Sequence, residues 1–509
     1  MLSSRNTNKK LKLINKIGYT SYQFTVATGG LETAWRMYFY TTFCGISIVL
    51  ATTLLTISKV ITTIMTPIVG YISDNLYKTK FGKRFGRRKG LLLIGMPLRI
   101  ITAPLYWIPN MPVAYYCIIM ISMAFIGPLM SVSQTTFATE MSSNSAERAQ
   151  LAGLNQASGA IVGIAGSLFL VKLFSMFGQN NSSTFFIAAI IYDCVQVLAC
   201  VFFYLSVFER PVDESTVVVT REKPSLIKGF IKVVVNFKSA IQLKAYRQYL
   251  AMYMSEQMFR SMDGKINTYF IVFVLLLEPK SVSLSKSVGF VFGIMFLTFF
   301  IWLTAKTKGT FTYRIGGYAS IVILLAFGYL GVFRPEHTQL YLLILTVAMN
   351  FGKTGLVNSI QFIYTFIPDL DEIVTGKRRE GSYAGVNAFI DELFTTVEGI
   401  LIGVILQFTG FVSNATTQPQ STINSLMVLY VIVPIILITI GIVISFKFKL
   451  TVENHQILEA EVDRLKSGGS KADVKEEVKV LVKELTGFDY ERCWGNNTLI
   501  NSNKEKQYV

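Results

Sequence analysis

The feature that most constrains this chain is a series of apolar runs, each long enough to cross a lipid bilayer. A membrane-spanning helix needs about 20 predominantly apolar residues. The twelve predicted spans lie at about residues 18–47, 50–74, 91–109, 112–138, 151–175, 185–207, 246–277, 285–305, 316–334, 338–367, 383–412 and 424–447. The sequence therefore predicts an all-α membrane protein with twelve transmembrane helices in two six-helix halves, residues 18–207 and 246–447.

Composition agrees with a membrane protein and excludes several other classes. Of the 509 residues, 51% are apolar and only 16% are charged, whereas a soluble domain carries about 25% charged residues. Soluble globular, fibrous, collagenous and disordered architectures are thereby excluded for most of the chain. The five cysteines show no paired or metal-like spacing and there are two histidines, so we expect no disulfide framework, no metal site and no cofactor.

The net charge of +17 is explained by where the basic residues lie. They concentrate in the connectors after predicted spans two, six, eight and ten, while the odd-numbered connectors hold only Lys280, Lys286 and Arg334. Cytoplasmic loops of membrane proteins are enriched in Lys and Arg, which predicts that both termini are cytoplasmic. The expected partners are the lipid bilayer and a small-molecule substrate, and we expect no nucleic acid.

Three segments lie outside the predicted halves. Residues 1–17 are polar and basic, without the features of a cleaved signal peptide, and form a cytoplasmic N-terminus. Residues 208–245 form a cytoplasmic central loop. Residues 448–509 form a soluble cytoplasmic tail in which apolar residues recur at helical spacing on both sides of a break at 467–470. We expect two amphipathic helices there, on the cytoplasmic face.

An internal repeat relates the fifth predicted span to the eleventh. A shift of 232 residues places Ala152-Gly153 and Asn155 on Ala384-Gly385 and Asn387, and Gly178 on Gly410. Such a shift, from span n to span n + 6, is what a duplicated six-helix unit would leave. Transporters built from parallel repeats bind their substrate between the two halves, near the bilayer midplane.

Four stretches of the sequence resemble a known family. They are 66–74 (TPIVGYISD) followed by 78–88, Glu140 with 146–148 (AER), 379–383 (REGSY) and Gly410-Phe411. Over residues 18–447 the chain resembles the glycoside–pentoside–hexuronide:cation symporters, typified by the melibiose permease, of the major facilitator superfamily. The resemblance implies the major facilitator fold and secondary transport of a sugar, glycoside or hexuronide across the cell membrane by alternating access.

The same motifs supply the predicted gate. Charge-assisted contacts at the cytoplasmic ends of the spans can lock one state and break when the halves rock. The predicted gating residues are Asp74, Arg87, Arg88, Glu140, Arg148, Arg379 and Glu380. The basic loop that contains Arg87 and Arg88 could also anchor to lipid headgroups, and the two roles are compatible.

The chain departs from the family at its charged positions. In members similar to the melibiose permease, acidic residues on the second and fourth spans bind a sodium-type cation, and the first, fifth and eleventh spans carry further charged residues. The matching positions here are Thr62 and Thr66, Ser131, Thr25, Gln156 and Glu392. Hydroxyl oxygens can ligate an ion but bring no charge to offset its dehydration. We therefore expect the coupling ion to be a proton.

Ionisable residues inside a span are costly and indicate function by default. Glu32 and Arg36 lie four residues apart and could pair on one helix face, either at the substrate or as a structural pair. Asp391 and Glu392 point about 100° apart, so both cannot face lipid. The predicted cation-coupling residues are Glu392, Asp391, Asp263, Thr62 and Thr66. The predicted substrate-binding residues are Thr25, Glu32, Arg36, Lys59, Ser131, Thr135, Asn155, Gln156, Arg260, Asn358 and Asn387.

The sequence thus favours a proton-coupled sugar symporter over three alternatives. A carrier of a non-sugar amphipathic or anionic solute would use the same basic residues, Arg36, Lys59, Arg260 and Lys265. A transport-dead sensor would use the tail as its output. An integral-membrane enzyme is disfavoured because no predicted span contains a histidine, a nucleophile–base pair or a metal cluster.

Overall fold

The computed structural model describes residues 11–142, 145–178, 181–209, 240–376 and 380–494, and within these ranges the chain is helical with no β-strand. The prediction of an all-α protein is confirmed. The long helices are α1 (Gln23–Phe43), α2 (Ile48–Asn75), α3 (Arg87–Thr102), α4 (Val113–Met141), α5 (Ser145–Phe177), α6 (Ser182–Ser206), α7 (Lys244–Tyr269), α8 (Pro279–Lys306), α9 (Gly309–Phe333), α10 (Thr338–Tyr364), α11 (Glu380–Phe408) and α12 (Gln420–Lys447).

Each predicted span overlaps one of these helices, and shorter elements join them. A helix at Leu13–Thr20 precedes α1, a second at Lys80–Phe85 lies between α2 and α3, and a third at Ile367–Thr375 lies between α10 and α11. A π-helical turn, Phe270–Val274, extends α7, and another, Val428–Ile432, lies inside α12. Residues 210–239, most of the predicted central loop, lie outside the described residues.

Within the described ranges, nine of the long helices are apolar and long enough to cross a membrane. The other three are α1, α7 and α11. They are less apolar because they carry ionisable side chains, among them Glu32 on α1, Asp263 on α7 and Glu392 on α11. That they span the membrane stays a prediction. Such helices need neighbours that shield their charges from lipid.

The two halves contact each other in a symmetric way. Helix α2 packs along α11, and α5 packs along α8. In a duplicated six-helix unit, α2 corresponds to α8 and α5 corresponds to α11. The two contacting pairs are therefore equivalent, as expected for such a unit. The repeat is also visible in the backbone, since Gly178 beyond α5 and Gly410 beyond α11 have φ angles of +86° and +87°. Glycine adopts this left-handed conformation without steric cost and so ends both helices in the same way.

At the predicted extracellular end, neutral hydrogen bonds join the halves. The Gly45 N–H donates to Asn414 Oδ1 at 3.1 Å, and the Asn414 N–H donates to the Thr41 carbonyl at 2.8 Å. The Thr41 hydroxyl lies 2.9 Å from the Tyr269 hydroxyl on α7. The ring of Phe411 packs edge-on against Tyr269, with 5.6 Å between the ring centroids. The turn after α1 is therefore bound to both α7 and the connection after α11.

On the opposite side of the bilayer, two tail helices, α13 (Val452–Lys466) and α14 (Glu476–Thr486), pack against the Ile367–Thr375 helix. Their buried faces include Leu458, Val462, Leu465, Val478, Val482 and Leu485. The two amphipathic helices predicted from the spacing of apolar residues in the tail are thus present. What they cover is the connector between α10 and α11.

Polar contacts attach the tail to that connector. The Lys466 ammonium lies 2.9 Å from a Glu372 carboxylate oxygen, and His455 Nε2 lies 2.8 Å from Asp369 Oδ2. The Trp494 N–H donates to the Ile373 carbonyl at 3.0 Å. The described part of the tail, to residue 494, is thus fastened to the C-terminal half at several points.

The first turn of α3 is capped by a carboxylate from the end of α6. Glu209 accepts hydrogen bonds from the backbone N–H groups of Arg87, Arg88 and Lys89, at 2.9, 3.0 and 2.6 Å. The first N–H groups of a helix have no partner within the helix, and the positive end of the helix dipole favours an anion there. Glu209 therefore fixes the loop between α2 and α3 to the rest of the N-terminal half.

We expect Glu209→Gln to lower the thermal unfolding midpoint. The amide removes the charge and directs an NH₂ group toward backbone donors. By analogy with other helix caps, this lowers the free energy of unfolding by roughly 1–2 kcal/mol. Tryptophan fluorescence of the purified protein during heating measures the midpoint. Glu336→Gln, at an exposed position before α10, is the matched control. Equal midpoints for the two variants would show that the cap contributes nothing.

Candidate functional site

A salt bridge joins the two halves of the protein. Lys59 Nζ on α2 lies 3.2 Å from Glu392 Oε2 on α11. The same ammonium donates to the Thr395 hydroxyl, one turn further along α11, at 2.7 Å. The sequence predicts Lys59 as a substrate ligand and Glu392 as a coupling residue. The structure brings the two together.

This salt bridge lies near the middle of the predicted membrane. At 1.5 Å per residue, Lys59 and Glu392 are each about 17 Å along the helix from its first residue. The hydrocarbon core of a bilayer is about 30 Å thick. The pair is therefore at the depth where transporters built from repeats bind their substrates.

The partners of the pair differ in exposure and in hydrogen bonding. The Lys59 side chain is 48% exposed and that of Glu392 is 16% exposed. Glu392 Oε1 and the neighbouring Asp391 Oδ1 are buried and have no hydrogen-bond partner among the described residues.

A second basic residue approaches the same turn of α11. Lys265 on α7 donates to the Thr395 carbonyl at 2.8 Å and forms a salt bridge with Glu398 at 3.1 Å. Thr395 therefore accepts from Lys59 at its hydroxyl and from Lys265 at its carbonyl. This one residue connects α2, α7 and α11. In the sequence, Thr395 is a hydroxyl residue three positions after Glu392, on the same helix face. That pattern did not distinguish Thr395 from other threonines in the spans.

Asp263, another predicted coupling residue, lies elsewhere in the C-terminal half and is fully paired. Its carboxylate forms a salt bridge with Lys353 of α10. The Tyr430 hydroxyl of α12 lies 3.2 Å from Asp263 Oδ1 and 3.0 Å from Asn267 Oδ1. These contacts connect α7, α10 and α12 within one half and do not reach the other half.

Glu32 and Arg36 on α1 do not form a salt bridge in the described structure. The Glu32 carboxylate accepts a hydrogen bond from Gln196 of α6 at 3.3 Å. The Arg36 guanidinium lies over the Tyr106 ring, 4.0 Å from its centroid. Gln196 also accepts from Arg99 Nε of α3 at 3.1 Å. The predicted pair within one helix is replaced by contacts between helices.

The predicted hydroxyl sites mostly bond to their surroundings within the N-terminal half. Thr62 donates to the Ser58 carbonyl at 2.9 Å, and Thr66 donates to the Thr62 carbonyl at 2.8 Å. The Thr25 hydroxyl lies 3.3 Å from the Cys200 thiol. Donation to the helix backbone leaves the hydroxyl oxygens of Thr62 and Thr66 able to accept a further contact.

The remaining predicted substrate residues are spread over both halves. Asn358 donates to the Thr304 hydroxyl of α8 at 2.8 Å, inside the C-terminal half. Asn387 accepts from the Tyr246 hydroxyl at 2.7 Å. Three others are exposed, namely Ser131, Gln156 and Arg260, and Asn155 is half-buried. Arg260 forms a salt bridge with Glu256 on its own helix at 3.2 Å.

Of the predicted gating residues, the structure describes two side chains. Arg88 is buried and donates to the Ser73 hydroxyl of α2 at 2.7 Å, and its carbonyl accepts from Ser133 of α4 at 3.1 Å. The Arg87 N–H is held by Glu209. The predictions at Asp74, Thr135, Glu140, Arg148, Arg379 and Glu380 lie outside the described residues and side chains.

Sequence reasoning missed Arg99, Gln196 and Glu209 as well as Thr395. Arg99 had a detectable signal, since it is a charged residue inside a predicted span. Gln196 had a weaker one, as a polar residue among apolar ones. Glu209 could not be found, because its role depends on a helix 120 residues earlier in the chain.

Known proteins with similar sequences are transporters. The family model described as "MFS/sugar transport protein" matches residues 17–452. A relative from Bacillus subtilis (strain 168), "Uncharacterized symporter YjmB", is 23% identical over 89% of this chain and 95% of its own length. A "Putative sulfoquinovose importer" from Salmonella typhimurium is 22% identical over 86% of this chain and 90% of its own length.

The fold has a counterpart among solved structures. A POT family transporter in complex with 5-aminolevulinic acid superimposes with a TM-score of 0.60 at 12% identity, over 88% of this chain and 99% of that one. The resemblance predicted from the motifs is confirmed, and the alternative of a membrane enzyme is excluded. With a family match across most of its length and the fold in agreement, this chain belongs to the MFS/sugar transport protein family of the major facilitator superfamily.

Proposed function

We propose that this protein is a symporter that moves a sugar or glycoside together with a proton across the cell membrane by alternating access, with both termini in the cytoplasm. Its family is that of sugar transport, and its relatives include a named symporter and a putative sulfoquinovose importer. The observation that carries the proposal is the salt bridge between Lys59 and Glu392, because it joins the two halves at mid-membrane depth.

Protonation of Glu392 would weaken the contact between α2 and α11. An ionised Glu392 binds the Lys59 ammonium directly, whereas a neutral carboxyl keeps only a hydrogen bond. A salt bridge open to water contributes roughly 1 kcal/mol, and more when water is excluded. Since the states of a transporter differ by a few kcal/mol, one proton at this position can change which state is favoured.

A proton suits the site better than a sodium ion. A sodium-type cation is bound by several oxygen ligands, and carboxylates among them supply the charge that offsets its dehydration. At the predicted cation positions Thr62 and Thr66 offer only uncharged hydroxyl oxygens. The Lys59 ammonium on the same helix would repel a metal cation near these threonines. Glu392 and Asp391 supply carboxyl oxygens, but Glu392 already has a cationic partner.

A second candidate is a carrier of an anionic solute. Lys59 and Arg260 are 48% and 51% exposed, so part of each cationic group faces open space. A substrate carboxylate or sulfonate could compete with Glu392 or Glu256 for these groups. The substrate panel should therefore contain neutral sugars, glycosides, hexuronates and sulfonated sugars.

Uptake into proteoliposomes tests the proposal. Purified protein is reconstituted, and each labelled substrate of the panel is offered with an imposed pH gradient, an imposed sodium gradient or neither. We expect accumulation of a sugar-class compound that depends on the pH gradient alone. Accumulation driven by sodium at constant pH would contradict proton coupling. Binding without counterflow exchange would indicate a sensor that does not transport.

We expect Glu392→Gln to abolish accumulation against a gradient and to spare exchange down a gradient. The neutral amide mimics the protonated carboxyl, so the variant can bind and exchange substrate but cannot release a proton. The pH profile of uptake should flatten in the same variant. Uptake and counterflow with the same proteoliposomes provide the two measurements.

Asp391→Asn is the matched control for this prediction, because the two residues are adjacent on α11. If Asp391→Asn loses accumulation while Glu392→Gln keeps it, the proton is carried one residue earlier. If both variants accumulate substrate like the wild type, α11 does not carry the coupled proton.

We also expect Lys59 and Glu392 to be energetically coupled. The test is a double-mutant cycle with Lys59→Gln and Glu392→Gln. Each single change should lower the free energy of unfolding. The loss in the double variant should be smaller than the sum of the two single losses, by roughly 1 kcal/mol. The more exposed salt bridge between Lys280 and Glu278 provides the control cycle, in which we expect a smaller coupling. Additive effects at Lys59 and Glu392 would mean that the salt bridge does not hold the halves together.

A further inference from the structure

The N-terminal helix, Leu13–Thr20, precedes α1 and has one buried face and one exposed face. Its buried residues are Gly18, Tyr19 and Thr20. Its exposed face is apolar, since the side chains of Leu13, Ile14 and Ile17 are 70%, 53% and 49% exposed among the described residues. Three neighbouring aliphatic side chains are unfavourable in water, because removing apolar surface from water stabilises a protein.

Contacts with α5 and α6 hold the N-terminal helix by its buried side. The Asn15 side-chain amide donates to the carbonyl of Ser206, the last residue of α6, at 2.7 Å. Gly18 lies against the same residue so closely that an added Cβ would be 2.0 Å from Ser206 Cβ. Just before the helix, the Leu11 N–H donates to Glu147 Oε1 of α5 at 3.1 Å. The exposed apolar face therefore lies on the side away from these two helices.

The lengths of α1 and α6 place the N-terminal helix at one edge of the predicted membrane. Helix α1 has 21 residues and α6 has 25, which correspond to about 32 and 38 Å at 1.5 Å per residue. Each is long enough to cross the hydrocarbon core, which is about 30 Å thick. The N-terminal helix precedes α1 and is bound to the last residue of α6, so it lies at the boundary between lipid tails and headgroups. By the predicted orientation, this boundary belongs to the cytoplasmic leaflet.

Lipid-facing residues of α6 lead to the N-terminal helix. Helix α6 is one of the helices that are apolar and long enough to cross a membrane. Its Leu198 and Leu205 side chains are 72% and 71% exposed, as expected for residues that contact lipid tails. Leu205 is adjacent to Ser206, the residue to which Asn15 donates. The exposed apolar face of the N-terminal helix thus begins where the lipid-facing surface of α6 ends.

Two lysines border this apolar face. Lys12 is exposed directly before the helix, and Lys16 is partly exposed, with its ammonium donating to Gln150 Oε1 of α5 at 2.8 Å. At about 100° per residue, both lysines lie on the same side of Leu13. A lysine can keep its aliphatic stem on an apolar surface while its ammonium reaches the headgroups. The cytoplasmic leaflet carries anionic headgroups, which complement this charge.

We propose that the N-terminal helix is an interfacial membrane anchor of the N-terminal half. Leu13, Ile14 and Ile17 insert between the acyl chains just below the headgroups of the cytoplasmic leaflet, and the Lys12 ammonium contacts anionic headgroups. Amphipathic helices bind a membrane surface in this way, through buried apolar area together with attraction to anionic lipids.

The anchor would hold the start of α5 and the end of α6 at a fixed depth in the membrane. The N-terminal helix is bound to both of them, and α5 is also the helix that packs along α8 of the other half. The N-terminal half would thus keep its cytoplasmic end at the leaflet while the C-terminal half moves against it. The anchor is independent of the substrate and of the coupling ion.

Tryptophan fluorescence in vesicles with brominated lipids tests the anchor, because bromine quenches an indole that it contacts. Ile14→Trp is reconstituted into vesicles that contain phosphatidylglycerol and whose lipids carry bromine either near the headgroup or near the far end of the acyl chains. The signal of the wild-type protein, which has four tryptophans, is subtracted. We expect the added indole to be quenched more strongly by bromine near the headgroup. Ile17→Trp, on the same face, should show the same preference.

Two control variants calibrate the depth, and a thermal melt checks that each variant is folded. Val480→Trp replaces a side chain that is 61% exposed on tail helix α14, and it should show no quenching beyond that of the wild type. Leu198→Trp, about 12 Å from the end of α6, should be quenched more strongly by bromine at the far end of the chains.

Two results would overturn the anchor. Equal or stronger quenching of Ile14→Trp by the far-end bromine would place the helix inside the hydrocarbon core rather than at its boundary. If neither lipid quenches Ile14→Trp or Ile17→Trp, the face is covered by protein or by water. The measurement needs no substrate and no ion gradient, so its failure is distinct from a failure of the proposed transport function.

Discussion

A charge inside a bilayer must find its partner within the protein, and the arrangement of this molecule depends on that constraint. Water and lipid headgroups are distant at mid-membrane depth, so ionisable side chains there favour partners on neighbouring helices. Lys59 reaches Glu392, Lys265 reaches Glu398, and Lys353 reaches Asp263. These three salt bridges connect α2 with α11, α7 with α11 and α10 with α7.

The ends of the helices are joined by two kinds of contact. At the predicted extracellular side, Gly45, Thr41 and Asn414 connect the halves by neutral hydrogen bonds. At the opposite end, the tail is fastened to the connector between α10 and α11 by a Lys466–Glu372 salt bridge and a His455–Asp369 contact. The contacts between the halves at the extracellular end are thus neutral, whereas those between α2 and α11 near the middle of the helices include the Lys59–Glu392 salt bridge.

Thr395 shows how few residues are needed to connect these regions. Its hydroxyl and its carbonyl accept from lysines on two different helices, one in each half of the protein. A movement of the two halves against each other would change the contact with Lys59, whereas the contact with Lys265 lies within the C-terminal half. Helix α11 is also the helix that follows the connector covered by the tail.

The sequence by itself determined the class of the protein, the approximate positions of its helices, its internal repeat and its family, because these depend on composition, on local periodicity and on short motifs. It also identified which charges lie inside predicted spans, including Lys59, Glu392 and Asp263. Only the tertiary structure decided which of them meet. Glu32 and Arg36 are four residues apart and seemed to be natural partners, whereas Lys59 and Glu392 are separated by more than half the chain. Helical periodicity describes neighbours on one helix, but the pairing of charges between helices is set by how those helices pack.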